Sequence, residues 1–293
     1  MFFLSDIDTS KIIDGKAVAA KVEAEASAAV LKLKERGISP KLVTVLVGAD
    51  PASQMYVRMK HKACERVGIL AEDCLPPADI SEAELLELID GLNNDDSVSS
   101  ILIQLPLPPH INAQAIMNAV SPLKDSDGFH PFNMGNLMIN EEGLVPCTPK
   151  GIIRLMDEYN VEIKGKNAVV VGHSNIVGKP MAAMLLNRNA TVSVCHVFTK
   201  DLKLYTKEAD ILVVGTGVKH LIKEDMVKDG AAIFDAGITT DSTGTYGDVD
   251  FENVIKKASL ITPVPGGVGP MTIAVLMMHV VECAEMIAKA QSR

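Results

Sequence analysis

Two spacings of apolar residues take turns along this chain, one recurring at helical intervals and one confined to short unbroken runs. Residues 14–36 carry Ala, Lys and Glu with apolar positions at helical spacing, and Gly37 ends them. The β-branched run 42–47 is closed by Gly48 and reads as a strand. Residues 53–67 read as a helix ended by Gly68. Residues 81–92 open with Ser-Glu-Ala-Glu, a capping-box pattern that predicts a helix start at Ser81. The stretch between these two helices supports either a strand or coil. Residues 100–105 form another buried strand, broken by Leu-Pro-Leu-Pro-Pro, and 112–120 a further short helix. Such alternation predicts an open, mostly parallel sheet.

The pattern changes over 121–150, where Pro, Gly, Asp and Asn accumulate and predict a loop or hinge. A second series follows: a helix over 150–159, an apolar strand over 167–171, and a helix from 179 to about 186. Strands at 191–196, 211–214 and 231–235 come next, and a long helix with a heavily apolar face covers 271–290. No repeat or low-complexity tract interrupts the chain. The fold class is therefore α/β in two domains, 1–147 and 148–275. The C-terminal helix, about 276–293, is expected to pack back on the first.

Composition narrows the classes of partner. The chain has 293 residues, enough for two domains, and is 47% apolar with only 4% aromatic residues and no Trp, so aliphatic side chains must build the core. A net charge of −9 argues against nucleic acid as the main partner but leaves room for a small anionic ligand. Five cysteines without a CxxC pair read as reduced, buried thiols. The N-terminus lacks the basic and long apolar regions of a secretion signal, and no run is expected to reach the ~18 apolar residues of a membrane span. The expected location is the cytoplasm, with no membrane contact.

Chemistry is suggested at two places. The segment VVVGHSNIVGKPM (169–181) reads strand, glycine turn, helix. Gly172 suits the tight turn, Gly178 a close helix–sheet approach, and Pro180 the first helical turn. Free amides at this helix start can hold a pyrophosphate, and Ser174 can add a hydroxyl. The spacing is GxSxxxG, so an ordinary strand–turn–helix remains an alternative. Residues 191–200 hold no carboxylate for a ribose 2′-hydroxyl, but they carry His196, Thr199 and Lys200. With His173, this set favours a 2′-phosphate, hence NADP over NAD; solvated surface residues are the other reading.

The second place is GADPASQMYVRMKHKAC (48–64), where Tyr56 and Lys60 fall four residues apart on one helical face. A phenol beside an amine can relay a proton, and a lysine in a partly desolvated site can serve as a base. A plain surface contact is the alternative. Gln104 ends an apolar strand, where α/β sheets place ligands, although its partner could be backbone. Asp125 and Asp127, in KDSDGFHP, either cap a turn or grip ring N–H groups.

Taken together, these motifs resemble the bifunctional methylenetetrahydrofolate dehydrogenase/methenyltetrahydrofolate cyclohydrolases, in the order that family shows. The match runs from KIIDGK (11–16) through ILIQLPLP, KDSDGFHPFNMG and PCTPKGI to ITPVPGGVGPMT (261–272). The resemblance implies an N-terminal folate-binding catalytic domain, a Rossmann-like cofactor domain, a folate cleft between them, and a homodimer. It implies oxidation of 5,10-methylenetetrahydrofolate with NADP, then hydrolysis to 10-formyltetrahydrofolate. Lys60 would be the general base, Tyr56 would position the folate ring, Gln104 would orient the lysine, and Asp127 would anchor the pterin. Pro265, Gly266 and Gly267 would line the folate site. Thr148, Gly172, His173, Ser174, Ile176, His196, Lys200, Ile238 and Thr272 would line the cofactor site. Two departures stand out: Ser126 where the family usually has Val, and His173 and Val197 where many NADP-using members carry Arg. The alternatives are a dehydrogenase-only member, a dehydrogenase of another small acid, and a non-catalytic folate- or nucleotide-binding protein. No metal site is expected.

Overall fold

The computed structural model describes residues 8–291 and groups the chain into two units. One joins Thr148–Thr272 to the N-terminal segment through Ala19; the other joins Ala20–Cys147 to Ile273 and the residues after it. The N-terminal segment thus groups with 148–272 and not, as the linear pattern suggested, with 20–147. Its ties include a backbone bridge from Ile12 to Ile261, the Ile13 N–H donating to the Ile261 carbonyl at 2.9 Å, and the Lys11 side-chain Nζ donating to the Ile255 carbonyl.

Helix α1 (Gly15–Glu35) precedes β1 (Lys41–Val45), α2 (Pro51–Val67), β2 (Leu70–Cys74), α3 (Glu82–Asn94), β3 (Ser100–Ile103), α4 (Ala113–Ala119) and α5 (Pro131–Met138). The three strands pair in parallel in the order β2–β1–β3. Both faces of this sheet are covered, so β1 and β3 are buried at nearly every position. Val43, Val45, Ile101 and Ile103 meet Leu85, Ile89 and Ile116 on one face. Leu42 and Leu102, on the opposite face, belong to a core with Val30, Leu33 and Val67. That same core takes in Val275, Leu276, Met277, Val280, Val281 and Ala284. Ser81 closes the expected capping box with Glu84.

The other unit contains α6 (Cys147–Glu158) from Thr148 onward, then β4 (Asn167–Val171), α7 (Gly178–Asn187), β5 (Thr191–Cys195), α8 (Leu202–Thr206), β6 (Ile211–Val214) and β7 (Ala232–Asp235). An antiparallel hairpin, β8 (Thr239–Asp241) and β9 (Gly244–Tyr246), is followed by α9 (Phe251–Val254) and β10 (Leu260–Ile261). Five parallel strands pair in the order β10–β7–β6–β4–β5. Counted within the unit this is 5-4-3-1-2, a doubly wound order whose direction reverses beside β4. Val213, Val214, Ile233 and Phe234 are fully buried, each contributing about 1.5–3 kcal/mol of apolar transfer.

Helix α10 (Val268–Gln291) corrects one expectation. By length and composition it could cross a membrane, contrary to the reading that no segment reaches that threshold. Many of its buried residues are the core side chains just named, which is the pattern of a core helix.

Candidate active site

The first constellation forms where the β2–β1–β3 sheet reverses order, at the C-terminal ends of β1 and β3. Asp50 caps α2 by accepting from Ser53 N–H at 2.8 Å, with Pro51 in the first turn, and Gly68 ends the helix at φ 82°. The cap sets the start of the helix and hence the face carrying Tyr56 and Lys60. Tyr56 is 40% exposed and Lys60 half-buried. Gln104, 8% exposed, is anchored by its own backbone to the Val45 carbonyl at 2.9 Å. Its Nε2 donates to the Leu105 carbonyl at 2.8 Å, which aims Oε1 outward. Lys60 Nζ donates to that Oε1 at 3.0 Å. One end of the Gln104 amide thus meets backbone and the other meets Lys60.

Asp125 and Asp127 separate cleanly. Asp125 Oδ1 accepts from Gly128 N–H, and its Oδ2 accepts from His130 N–H and Asn133 Nδ2. It is the turn-capping residue. Asp127 takes no part in those bonds. Burial lifts its carboxyl to about 6, with Lys60 pulling it down and Asp125 pushing it up. Gly128 sits at φ 75°, and a Cβ there would stand 2.3 Å from the Val145 carbonyl carbon, so only glycine fits this turn. Lys124 pegs the near end of the loop through Leu92 O and Asp95 O, at the C-terminal end of α3.

The second constellation lies in the 148–272 unit, where the five-stranded sheet reverses. Gly172 follows β4 at φ 116°, and a Cβ would meet the Gly215 carbonyl oxygen at 2.4 Å. The loops leaving β4 and β6 therefore approach each other closely, at a place where Gly172 has no room for a side chain. Ser174 Oγ accepts from the amides of Val177 and Gly178 at 3.1 and 3.4 Å. Two of the helix-start amides assigned to pyrophosphate are therefore capped internally, and the hydroxyl proton of Ser174 is left to donate. His173 and His196 place their rings 4.8 Å apart, with Lys200 exposed on the same loop as His196. Thr148 and Thr272 join hydroxyl to hydroxyl at 2.9 Å. Ile176 and Ile238 are 44% and 50% exposed. Pro265, Gly266 and Gly267, expected on the folate side, lie in this unit, where Gly267 O leaves no room for a side chain at Gly15.

Sequence reasoning missed a buried carboxylate pair. Asp235, ending β7, accepts from the amides of Gly237, Asp248 and Val249, and Asp248 accepts from Thr216 and Gly217. Together they hold the loops that follow β6 and β7. Burial, reinforced by Asp248, raises Asp235 to about 7 against the pull of its three amides. The available signal was a carboxylate ending an apolar strand, the same argument applied to Gln104.

A lysine–amide–carboxylate group at one sheet reversal and a glycine turn leading into a helix at another define a two-part α/β enzyme of the nucleotide-binding kind. Comparison with known proteins makes this specific. Residues 13–127 match the catalytic-domain model of tetrahydrofolate dehydrogenase/cyclohydrolase, and residues 146–288 match the NAD(P)-binding-domain model of the same family. The bifunctional protein FolD of Methanosarcina mazei is 70% identical over 277 residues, covering 94% of this chain and 96% of that one. The crystal structure of the FolD methylenetetrahydrofolate dehydrogenase/cyclohydrolase of Campylobacter jejuni superimposes with a TM-score of 0.93 at 51% identity, covering 94% of this chain and 98% of that one. The Trypanosoma brucei dehydrogenase–cyclohydrolase, solved with NADP and an inhibitor, gives 0.90 at 36% identity, with 95% and 98% covered. The chain belongs to the tetrahydrofolate dehydrogenase/cyclohydrolase family.

Proposed function

We propose that this chain oxidises 5,10-methylenetetrahydrofolate to 5,10-methenyltetrahydrofolate with NADP and hydrolyses the product to 10-formyltetrahydrofolate. The observation that carries the reading is the Lys60 Nζ to Gln104 Oε1 contact at 3.0 Å beside the half-buried Asp127, within the segment matching the catalytic-domain model. Asp127 anchors the pterin edge and Tyr56 packs along the folate ring. NADP, when bound, accepts the hydride leaving the methylene carbon. In the second step water adds to the methenyl carbon, and Lys60 Nζ, oriented by Gln104, takes the proton that water loses. Cleavage of the bond from the tetrahedral carbon to N5, with the Lys60 proton passing to N5 and the hydroxyl proton released to solvent, then leaves the formyl group on N10. A dehydrogenase-only role, or binding without turnover, gives no use to the Lys60–Gln104 contact.

NADP is favoured over NAD by the His173–His196 pair and Lys200, and by the lack of any carboxylate across residues 191–200. A homodimer is part of the reading. Strand β5 is the outer strand of its sheet, and Val197, Phe198 and Leu204 beside it are 86%, 82% and 70% exposed, an apolar face suited to a second copy. Five cysteines, none of them in a disulfide, support a cytoplasmic location. The test is turnover of methylenetetrahydrofolate with NADP and NAD, with identification of the folate product. Lys60→Met is expected to stop hydrolysis while methenyl formation continues; hydrolysis persisting in that variant would remove Lys60 from the mechanism.

A further inference from the structure

The loop bearing Asp127 is held by a contact that the chemistry above does not use. The Ser126 carbonyl belongs to the peptide leading directly into Asp127. Two donors from distant parts of the chain converge on it. His279 Nδ1, on α10, lies 2.8 Å away, and Cys147 Sγ, opening α6, lies 3.3 Å away. The two donors are themselves 3.4 Å apart. His279 is fully buried and Cys147 is 3% exposed.

A carbonyl oxygen only accepts, so the Nδ1 facing it carries the proton. That leaves Nε2 as the nitrogen turned toward Glu282, whose Oε2 is 3.8 Å away. The neighbouring α10 residues Met277, Val280 and Val281 are core aliphatics, and an imidazole among them is costly unless it is hydrogen-bonded. The bond it makes locks one peptide plane. That plane fixes where the Asp127 backbone begins, while Gly128 at φ 75° and the Asp125 turn fix where it ends.

We propose that His279, assisted by Cys147, is a positioning residue for the folate site, holding the Ser126 carbonyl so that the Asp127 carboxylate points at the substrate. The inference rests on the reading of Asp127 as the pterin anchor.

A double-mutant cycle on tetrahydrofolate affinity, measured by calorimetry on the full chain, separates the two. Asp127→Asn alone is expected to weaken binding; unchanged affinity would refute the anchor role itself. Given that loss, His279→Leu is expected to weaken folate binding about tenfold, the ~1.4 kcal/mol of one hydrogen bond, while NADP affinity stays unchanged. His279→Asn, which restores an N–H donor, recovers part of the loss. In the Asp127→Asn background, His279→Leu adds nothing further. Additive losses, or equal losses of folate and NADP affinity, overturn the inference by making His279 a general packing residue. Cys147→Ala run through the same cycle gives a smaller loss with the same non-additivity, and it replaces His279→Leu should that variant fail to fold.

Discussion

Ser126 offers a direct measure of what an unpaired polar atom costs this loop. Its side chain is fully buried, and its Oγ has no hydrogen-bonding partner in the protein, although its carbonyl is doubly held. Burying a hydroxyl without a partner costs about 1–3 kcal/mol. Ser126→Ala removes that oxygen and leaves the backbone alone. Against the gain stand a few lost van der Waals contacts at about 0.1–0.2 kcal/mol each. The variant is therefore expected to be more stable by roughly 1 kcal/mol. Urea unfolding followed by far-UV circular dichroism reads this directly: at a slope near 2 kcal/mol per molar, the midpoint rises by about 0.5 M with the slope unchanged. Ser126→Val adds about 0.8 kcal/mol for each newly buried methyl that fits without strain. A Ser126→Ala variant less stable than the parent would refute the argument, because it would mean the hydroxyl is satisfied in solution.

Two further perturbations follow from the cofactor unit. Gly172→Ala forces a Cβ to 2.4 Å from the Gly215 carbonyl at a left-handed backbone angle, so NADP affinity by calorimetry should fall at least about tenfold; near-parent affinity would show that the turn yields easily. Asp235 should make its own contribution to pH dependence. Its folded value of about 7 exceeds the ordinary 3.8, so its contribution is full below about pH 4 and is lost as pH rises toward 7, by up to roughly 4 kcal/mol. Asp235→Asn lacks this term. Between pH 5 and 8 the stability advantage of the parent over the variant should therefore shrink, and parallel curves would contradict a raised Asp235.

The alternating strands and helices were legible because buried parallel strands must be apolar on both faces, and runs such as Ile211–Val214 stand out between polar helices. Strand β2 could be read only as strand or coil, since Leu70–Cys74 is an outer strand with four of its five side chains exposed. Helix α5 hid inside a loop-like composition, although His130 caps it and Pro131 opens it. The Tyr56–Lys60 spacing was visible, but the Gln104 contact joins residues 44 apart in sequence and exists only once the sheet forms. The division of labour between Asp125 and Asp127 likewise depends on which amides the folded turn presents. His279 was invisible for a simpler reason: one imidazole in an apolar helical stripe reads as packing.

The interrupted make-up of the Ala20–Cys147 unit bears on its birth. A ribosome delivers Val30, Leu33, Leu42 and Leu102 long before Val275, Met277 and Val280, the side chains that complete their cluster. All of Thr148–Thr272 must be translated in between. The nascent polypeptide therefore carries a greasy, half-covered sheet throughout that interval, and this is the period in which it most needs a chaperone or a rapid elongation rate.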